Sequence, residues 1–381
     1  MSSPTSPSLD VVALPIADVE RPVITREQFH RLLEGGVSHG ASDIHFRVGD
    51  PPTYRVHGKL MHLRMSRLRV DDTRALCDYV VVEPDVRGRL DTLQEHDTSY
   101  SIPGVSRFRV NLFRQRGSMS LILRIIPSNI PTIDGLGLPE IVRTIAGYER
   151  GLVLVTGATG SGKSSTLAAM INHINQTRRV HILTIEDPIE FLHPNSKASI
   201  SQRELGIDTK NYNIALRAAL RQDPDVILVG EMRDAESVDI ALKASETGHM
   251  VFSTVHTPDA AKTVSRLVSV FPAEEQQTVR FRLADSLKAT VSQRLIPKPD
   301  GKGRVAALEV MVATMTIQDY LRDPSRSGSL KTVIEEGRTL HGMQSFDQDL
   351  ARLVREKRIT FEAAQQYATS PTDLERAMRF D

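Results

Sequence analysis

Several residues in this chain of 381 amino acids have types and spacings that suit phosphate chemistry. The segment Gly157–Ser164 reads Gly-Ala-Thr-Gly-Ser-Gly-Lys-Ser and matches the phosphate-loop pattern G-x-x-x-x-G-K-S. Glycines let the chain fold tightly around phosphate oxygens, so that successive backbone N–H groups point at the negative charge. The motif predicts a nucleoside triphosphate site, with candidate contacts at Gly157, Ala158, Thr159, Gly160, Ser161, Gly162, Lys163, Ser164 and Ser165.

The elements that must position this loop are visible on both sides of it. Leu152–Val155 is an apolar run typical of a buried parallel strand, and a helix is predicted after the loop from apolar residues at Leu167, Met170, Ile171 and Ile174. We expect Lys163 to bridge the β and γ phosphates and Ser164 to offer its hydroxyl to Mg²⁺, which keeps several waters in such sites. The predicted ligands are ATP and Mg²⁺.

Acidic residues follow two further apolar runs. The run Val226–Gly230 is followed directly by Glu231. An apolar run that leads into an acidic residue is the pattern of a Walker B element, which orders the magnesium ion directly or through its waters. Glu186, Asp187 and Glu190 place three carboxylates within five positions. One of them could orient or deprotonate the attacking water, since phosphoryl transfer asks the protein mainly for positioning and charge stabilisation. Residue type alone does not choose among the three.

Two histidines lie on either side of another apolar run. His249 precedes it and His256 follows it, and either could contact the γ-phosphate. A single histidine is more often a structural residue than a functional one, so this prediction depends on the surrounding elements.

Composition limits the class of partner. Lys and Arg number 48 against 47 Asp and Glu, a formal net charge of +1, which gives no electrostatic argument for nucleic acid. The single cysteine, Cys77, excludes an internal disulfide and a cysteine zinc cluster. No apolar run approaches the ~18 residues of a membrane span, and no apolar signal core begins the chain. We therefore expect a cytoplasmic protein.

The chain divides by composition and periodicity into several segments. Residues 1–22 are rich in Ser and Pro and predict a flexible tail. Residues 23–128 alternate like a small α+β domain, and residues 129–140 read as a linker. Residues 141–381 alternate strands and helices, which predicts a parallel sheet, followed by a helical region from about 329. Its candidate strands are 152–156, 180–185, 225–230, 250–255 and 305–312.

These motifs together resemble the secretion ATPase superfamily, and within it the type IV pilus retraction ATPases of the PilT and PilU types. The resemblance runs from about Thr25 to the C-terminus. Four motifs in the same order carry it: the phosphate loop, the acidic box Thr184–Phe191, the segment Asp223–Asp234, and the box from Glu246–His249 through His256 and Thr257.

The resemblance implies a fold and a set of roles. It implies a PAS-like first domain, a RecA-like second domain and a hexameric ring. It places the catalytic glutamate of the family at Glu190 and its Walker B glutamate at Glu231. The family's histidine-box residues fall on His249 and His256, and its arginine fingers, which come from the first domain, fall on Arg109 and Arg124.

One segment departs from the PilT type. That type carries Ala-Ile-Arg-Asn-Leu-Ile-Arg-Glu where this chain has Met315–Asp323, and the C-terminal stretches are more similar to the PilU type. The resemblance implies an ATPase that retracts a pilus by acting on a platform protein of the inner membrane, resembling PilC. Since the segment differs, an accessory ring that supports a paralogous retraction ATPase is the alternative. A nucleic-acid motor is disfavoured by the near-neutral charge and the absence of an aromatic or basic strand-binding stretch.

Overall fold

The computed structural model describes residues 22–127 and 129–379. The chain divides into two compact units, Met1–Ser128 and Asn129–Asp381, and each has its own hydrophobic core. The predicted flexible tail lies outside the described residues except for Pro22. Within the described ranges, no helix is both long enough and apolar enough to cross a bilayer.

The first unit is an antiparallel sheet covered by helices. Its helices are α1 (Arg26–Ser38), α2 (Val70–Val80) and α3 (Pro84–Arg87). Its strands are β1 (Ala41–Phe46), β2 (Thr53–Val56), β3 (Lys59–His62), β4 (Glu95–Ile102), β5 (Ser106–Gln115) and β6 (Ser118–Ile125). They lie in the order β3-β2-β1-β6-β5-β4.

The alternation of β5 decides which face of this sheet carries charge. Phe108, Val110 and Leu112 are fully buried in the core of the first unit. Because successive side chains of a strand point to opposite faces, the residues between them lie on the other face. Arg109 is therefore exposed on the polar side of the sheet.

The second unit is a mostly parallel sheet with helices on both sides. Its strands are β7 (Gly151–Thr156), β8 (His181–Glu186), β9 (Ser199–Glu204), β10 (Val226–Val229), β11 (Met250–Val255), β12 (Leu287–Pro297) and β13 (Arg304–Val312). Its helices are α4 (Glu140–Ala146), α5 (Lys163–Thr177), α6 (Tyr212–Ala219), α7 (Ala235–Glu246), α8 (Ala260–Ser269), α9 (Gln276–Ser286), α10 (Met315–Arg322), α11 (Leu330–Glu336), α12 (Arg338–His341), α13 (Phe346–Arg355), α14 (Phe361–Tyr367) and α15 (Pro371–Arg379), with a 3₁₀ helix at Pro324–Ser329.

The strand order of this sheet is β13-β12-β7-β11-β10-β8-β9. All neighbouring strands are parallel except β12 and β13, which form an antiparallel pair. Every residue of β7 and β11 is buried, as expected for central strands covered on both faces. The five strands expected from the sequence are present, and β9 and β12 are two further ones.

Residues 129–140 belong to the second unit and pack on its core. Ile133 and Leu138 are buried in the same core cluster as Met170 of α5. The C-terminal helices form a smaller cluster, in which Leu350 packs with Ile296 of β12. These contacts tie both ends of the second unit to its central sheet.

Candidate nucleotide-binding site

The phosphate loop connects the carboxyl end of β7 to the start of α5, where ligands bind in open α/β sheets. Gly162 forms the N-cap of α5 with a φ of +91°. A β-carbon at this position would lie 2.7 Å from Nε2 of Gln293. Both the left-handed conformation and the close contact therefore require glycine here.

Lys163 is held against its own loop. Its Nζ donates hydrogen bonds to the carbonyl oxygens of Gly157 and Ala158, each at 3.0 Å. Burial lowers the pKa of Lys163, and the carboxylates of Glu231 and Glu190 oppose that shift. The ammonium group thus lies between the loop and two acidic side chains.

The structure separates the members of the acidic box. The hydroxyl of Ser164 donates to Oε1 of Glu190 at 2.9 Å, so Glu190 is the box carboxylate that contacts the phosphate loop. Glu186 instead accepts hydrogen bonds from Thr184 Oγ1 at 2.7 Å and Gln202 Nε2 at 3.1 Å. Burial of its carboxyl group raises the pKa of Glu186, and those two hydrogen bonds partly offset the rise.

Glu231 lies two residues beyond β10 and meets two basic side chains. Its Oε2 accepts a hydrogen bond from Arg233 at 2.6 Å and lies 3.5 Å from Nε2 of His256. The other ring nitrogen of His256, Nδ1, is 3.4 Å from the hydroxyl of Thr159. His256 therefore bridges the phosphate loop and the predicted Walker B glutamate.

His249 lies elsewhere. It immediately precedes β11, whereas His256 immediately follows that strand, so the two histidines are at opposite edges of the sheet. Nδ1 of His249 is 3.0 Å from the carbonyl oxygen of Ala244, at the end of α7. The structure does not bring His249 to the phosphate loop of its own chain.

Arg109 and Arg124 are in the first unit, where they form a pair across two strands. They are direct partners in the register of β5 and β6, which places both on the polar face of that sheet. Arg124 is engaged, because its Nε lies 3.0 Å from Oδ1 of the buried Asp43. Arg109 is exposed.

A cavity of 380 Å³ joins the side chains of the second unit described above. Its wall includes Lys163, Ser164, Glu190, Glu231 and His256. An adjoining cavity of 300 Å³ has a more apolar wall and shares four residues with the first: Gly162, Ser165, Leu295 and Arg304. The sequence did not indicate Leu295 or Arg304, because neither belongs to a phosphate-binding motif.

Within the described residues, no cluster of three or more His, Cys, Asp or Glu side chains is arranged to hold a metal ion. The side chains with oxygen atoms in the wall of the larger cavity include Ser164, Glu190 and Glu231. Hard oxygen ligands of this kind suit Mg²⁺, which is commonly bound by one or two protein groups together with phosphate oxygens and waters. The donor set therefore fits that ion.

A parallel sheet with this loop, and with acidic groups at the ends of neighbouring strands, defines a P-loop ATPase. The family described as Type II/IV secretion system protein matches residues 19–379, and the chain belongs to that family. The resemblance stated from the sequence is confirmed.

Alignments with individual relatives cover almost the whole chain. The type IV pilus retraction ATPase PilT of Pseudomonas aeruginosa is 46% identical over 340 residues, covering 89% of this chain and 98% of the relative. The type IV pilus ATPase PilU of the same organism is 40% identical over 349 residues, covering 91% and 90%. A crystal structure of the pilus retraction motor PilT with bound ADP matches with a TM-score of 0.81 and 44% identity, covering 91% of this chain and 98% of that one. The predicted α/β architecture of an N-terminal domain followed by an ATPase domain is confirmed.

Proposed function

We propose that this chain hydrolyses ATP to drive retraction of a type IV pilus, as a hexameric ring. The ring acts on a platform protein of the inner membrane, from the cytoplasmic side. The observation that carries this proposal is the 46% identity to a retraction ATPase over nearly its full length, supported by a cavity in this chain whose wall includes the phosphate loop, Glu190 and Glu231. The similar crystal structure of PilT was solved with ADP bound, which supports nucleotide binding by this fold.

The pocket accommodates the nucleotide in two parts. The phosphates lie along the loop, where Lys163 exchanges its contacts with the carbonyls of Gly157 and Ala158 for phosphate oxygens. The base lies in the adjoining cavity, whose wall includes Leu138, Leu295 and Arg304. Apolar side chains with one polar group are typical of sites that bind an aromatic ring.

Ser164 and Glu231 would hold the magnesium ion, directly or through its waters. When bound, Mg²⁺ neutralises charge on the phosphates. Glu190 then orients and deprotonates the attacking water; its hydrogen bond with Ser164 of the phosphate loop supports this role. His256 lies between Thr159 and Glu231, so it can respond to the γ-phosphate.

Arg109 and Arg124 supply positive charge from the first domain when the site of a ring closes. An arginine delivered by a moving domain stabilises the transition state only in the closed state, which couples hydrolysis to motion. The exposure of Arg109 leaves its guanidinium available for this contact. Arg124 must exchange its ion pair with Asp43.

The experiment that tests the proposal is ATP turnover by the purified, assembled protein with Mg²⁺, with ring assembly followed by light scattering. Lys163→Ala removes phosphate binding, and we expect it to abolish both nucleotide binding and turnover. Glu190→Gln keeps the shape of the side chain without a base, and we expect it to bind ATP while turnover falls by at least about a hundredfold. Glu149→Gln, at an exposed position outside the pocket, is the matched control.

A wild-type ring that binds ATP without hydrolysing it would contradict the motor assignment. Retraction itself is tested by expressing the chain in Pseudomonas aeruginosa lacking its own retraction ATPase. Twitching restored by the wild-type chain and not by Glu190→Gln is the expected result.

A second candidate function is that of an accessory ring that reinforces a paralogous motor. The segment Met315–Asp323, which differs from the PilT type, forms α10 and packs on α9. Arg280 of α9 donates to the carbonyl oxygen of Leu321 at 3.2 Å, and Arg322 pairs with Asp285 at 2.6 Å. The segment is therefore held firmly in the fold, but its surface carries different side chains from those of the PilT type.

A strain that keeps a paralogous retraction motor, and in which Glu190→Gln replaces the wild-type chain, separates the two functions. For an accessory ring, Glu190→Gln would leave motility intact as long as the paralogous motor is present. Loss of motility in that variant rules out the accessory function, whereas motility that persists favours it.

A further inference from the structure

A glutamine far away in sequence reaches the phosphate loop. Gln293 lies on β12, the strand next to β7, and only 4% of its surface is exposed. Its Nε2 donates a hydrogen bond to the carbonyl oxygen of Ser161 at 2.7 Å. Its Oε1 accepts one from the hydroxyl of Thr166, in the first turn of α5, at 2.6 Å. One side chain thus joins the loop and the helix that follows it.

The contact with Ser161 determines how one peptide group of the loop is turned. In a planar trans peptide, the C=O and the following N–H point in opposite directions. Since the carbonyl of Ser161 points to Gln293, the N–H of Gly162 points away from Gln293. Gly162 lines the phosphate cavity, so this N–H is one of the donors that can meet a phosphate oxygen.

The loop does not fix this orientation by its own sequence. Gly157, Gly160 and Gly162 all have positive φ angles, and glycine populates both signs of φ readily. The loop also packs closely against Gln293, because a β-carbon on Gly157 would lie 2.6 Å from the backbone oxygen of Gln293. The conformation of this glycine-rich loop therefore depends on its contacts with β12.

We propose that Gln293 is a positioning residue for phosphate binding, which it controls by fixing the Ser161–Gly162 peptide. The inference rests on the nucleotide site of the proposed function and does not require pilus retraction. The hydrogen bond to Ser161 carries the effect, and the one from Thr166 holds the amide of Gln293 in the orientation that donates to the loop.

The test measures the affinities of the purified full-length protein for ADP and for AMP by titration calorimetry with Mg²⁺. Gln293→Met keeps the length of the side chain and removes both hydrogen bonds. Gln293→Leu also removes both hydrogen bonds, with a branched apolar side chain of similar size and no added charge. We expect both to weaken ADP binding by about tenfold and to leave AMP binding unchanged, because the reoriented N–H serves a phosphate that AMP lacks.

Two further variants complete the design. Thr166→Val leaves the donor to Ser161 in place and should weaken ADP binding by less than about threefold. Ser292→Ala, the matched control, removes a hydrogen bond between Thr156 and Ser292 in the same buried junction. It should leave both affinities as they are in the wild type.

Equal weakening of ADP and AMP binding would assign a merely structural role to Gln293 and overturn the inference, as would unchanged ADP affinity in Gln293→Leu. These results are distinct from failure of the proposed function, in which the wild type would not hydrolyse ATP or would not restore retraction. A Gln293→Met variant that fails to fold leaves Gln293→Leu and Thr166→Val to decide.

Discussion

Glu309 on β13 is a buried carboxyl group that anchors the start of another helix. Only 6% of its surface is exposed, and its Oε1 accepts a hydrogen bond at 2.8 Å from the backbone N–H of Ala260, the first residue of α8. His256 precedes that residue by four positions, so Glu309 also fixes the segment that carries this histidine. Burial raises the pKa of Glu309 from 4.5 to about 7.

Neighbouring charged side chains shift the pKa of Glu309 both up and down. Asp259 raises the pKa of Glu309 further, whereas Arg294 and Lys331 lower it. Between pH 4.5 and about 7 the folded protein holds a proton that the unfolded chain has released. The corresponding stability is fully present below the unfolded pKa and is lost as the pH rises through the folded one.

We predict that Glu309→Gln stabilises the protein at alkaline pH. Glutamine resembles the protonated carboxyl group and can still accept from Ala260, so the variant avoids burying a charge. The shift corresponds to about 3 kcal/mol at about pH 8, which is an upper value for the gain in free energy of unfolding. The difference between variant and wild type should shrink steadily towards pH 4.5.

Urea unfolding followed by circular dichroism, repeated across this pH range, measures the effect. Glu149→Gln, at an exposed site, is the control and should show no comparable trend. A Glu309→Gln variant that is less stable than wild type at about pH 8, or whose difference from wild type does not change with pH, would refute the reasoning.

Three shorter predictions concern other parts of the chain. Burial raises the pKa of Cys77 to about 12, so iodoacetamide should modify it only after urea unfolds the first unit; rapid modification of the folded protein would contradict this. Ser345 caps α13 by accepting from the N–H of Gln348, and Ser345→Ala should lower the free energy of unfolding by about 1 kcal/mol in a urea titration, an effect that is absent if the cap is unimportant. Arg109→Ala and Arg124→Ala should leave ATP binding nearly intact and reduce turnover by about a thousandfold, whereas equal losses of binding and turnover would argue against arginine fingers.

The central strands of the second unit could be predicted from the sequence because each contains a run of apolar residues. The predicted 250–255 coincides with β11, and the other four predicted strands agree with the structure within two residues at each end. The strands that were not predicted contain polar residues. In β12, Ser292 and Gln293 interrupt the apolar pattern, yet both are buried because they hydrogen bond to Thr156, Ser161 and Thr166.

The sequence motif could not show which of the two histidines lies at the phosphate loop. His249 and His256 were equal candidates in the sequence, since each flanks the same apolar run. That run forms the six-residue strand β11, which at about 3.3 Å per residue separates its ends by about 20 Å. Only the carboxyl end of the strand reaches the phosphate loop, so the direction of the strand distinguishes the two residues.

The two strands of the second unit that were not predicted, β9 and β12, have related roles at the site. Gln202 on β9 donates hydrogen bonds to the side chain of Glu186 and to the carbonyl oxygen of Phe191, on either side of Glu190. Gln293 on β12 makes the corresponding contacts with the phosphate loop. Strand β9 adjoins β8, and β12 adjoins β7. Each glutamine therefore holds the loop that follows the neighbouring strand. We expect the motif residues to contact the nucleotide, while the amides of Gln202 and Gln293 on adjacent strands hold the loops that carry those residues.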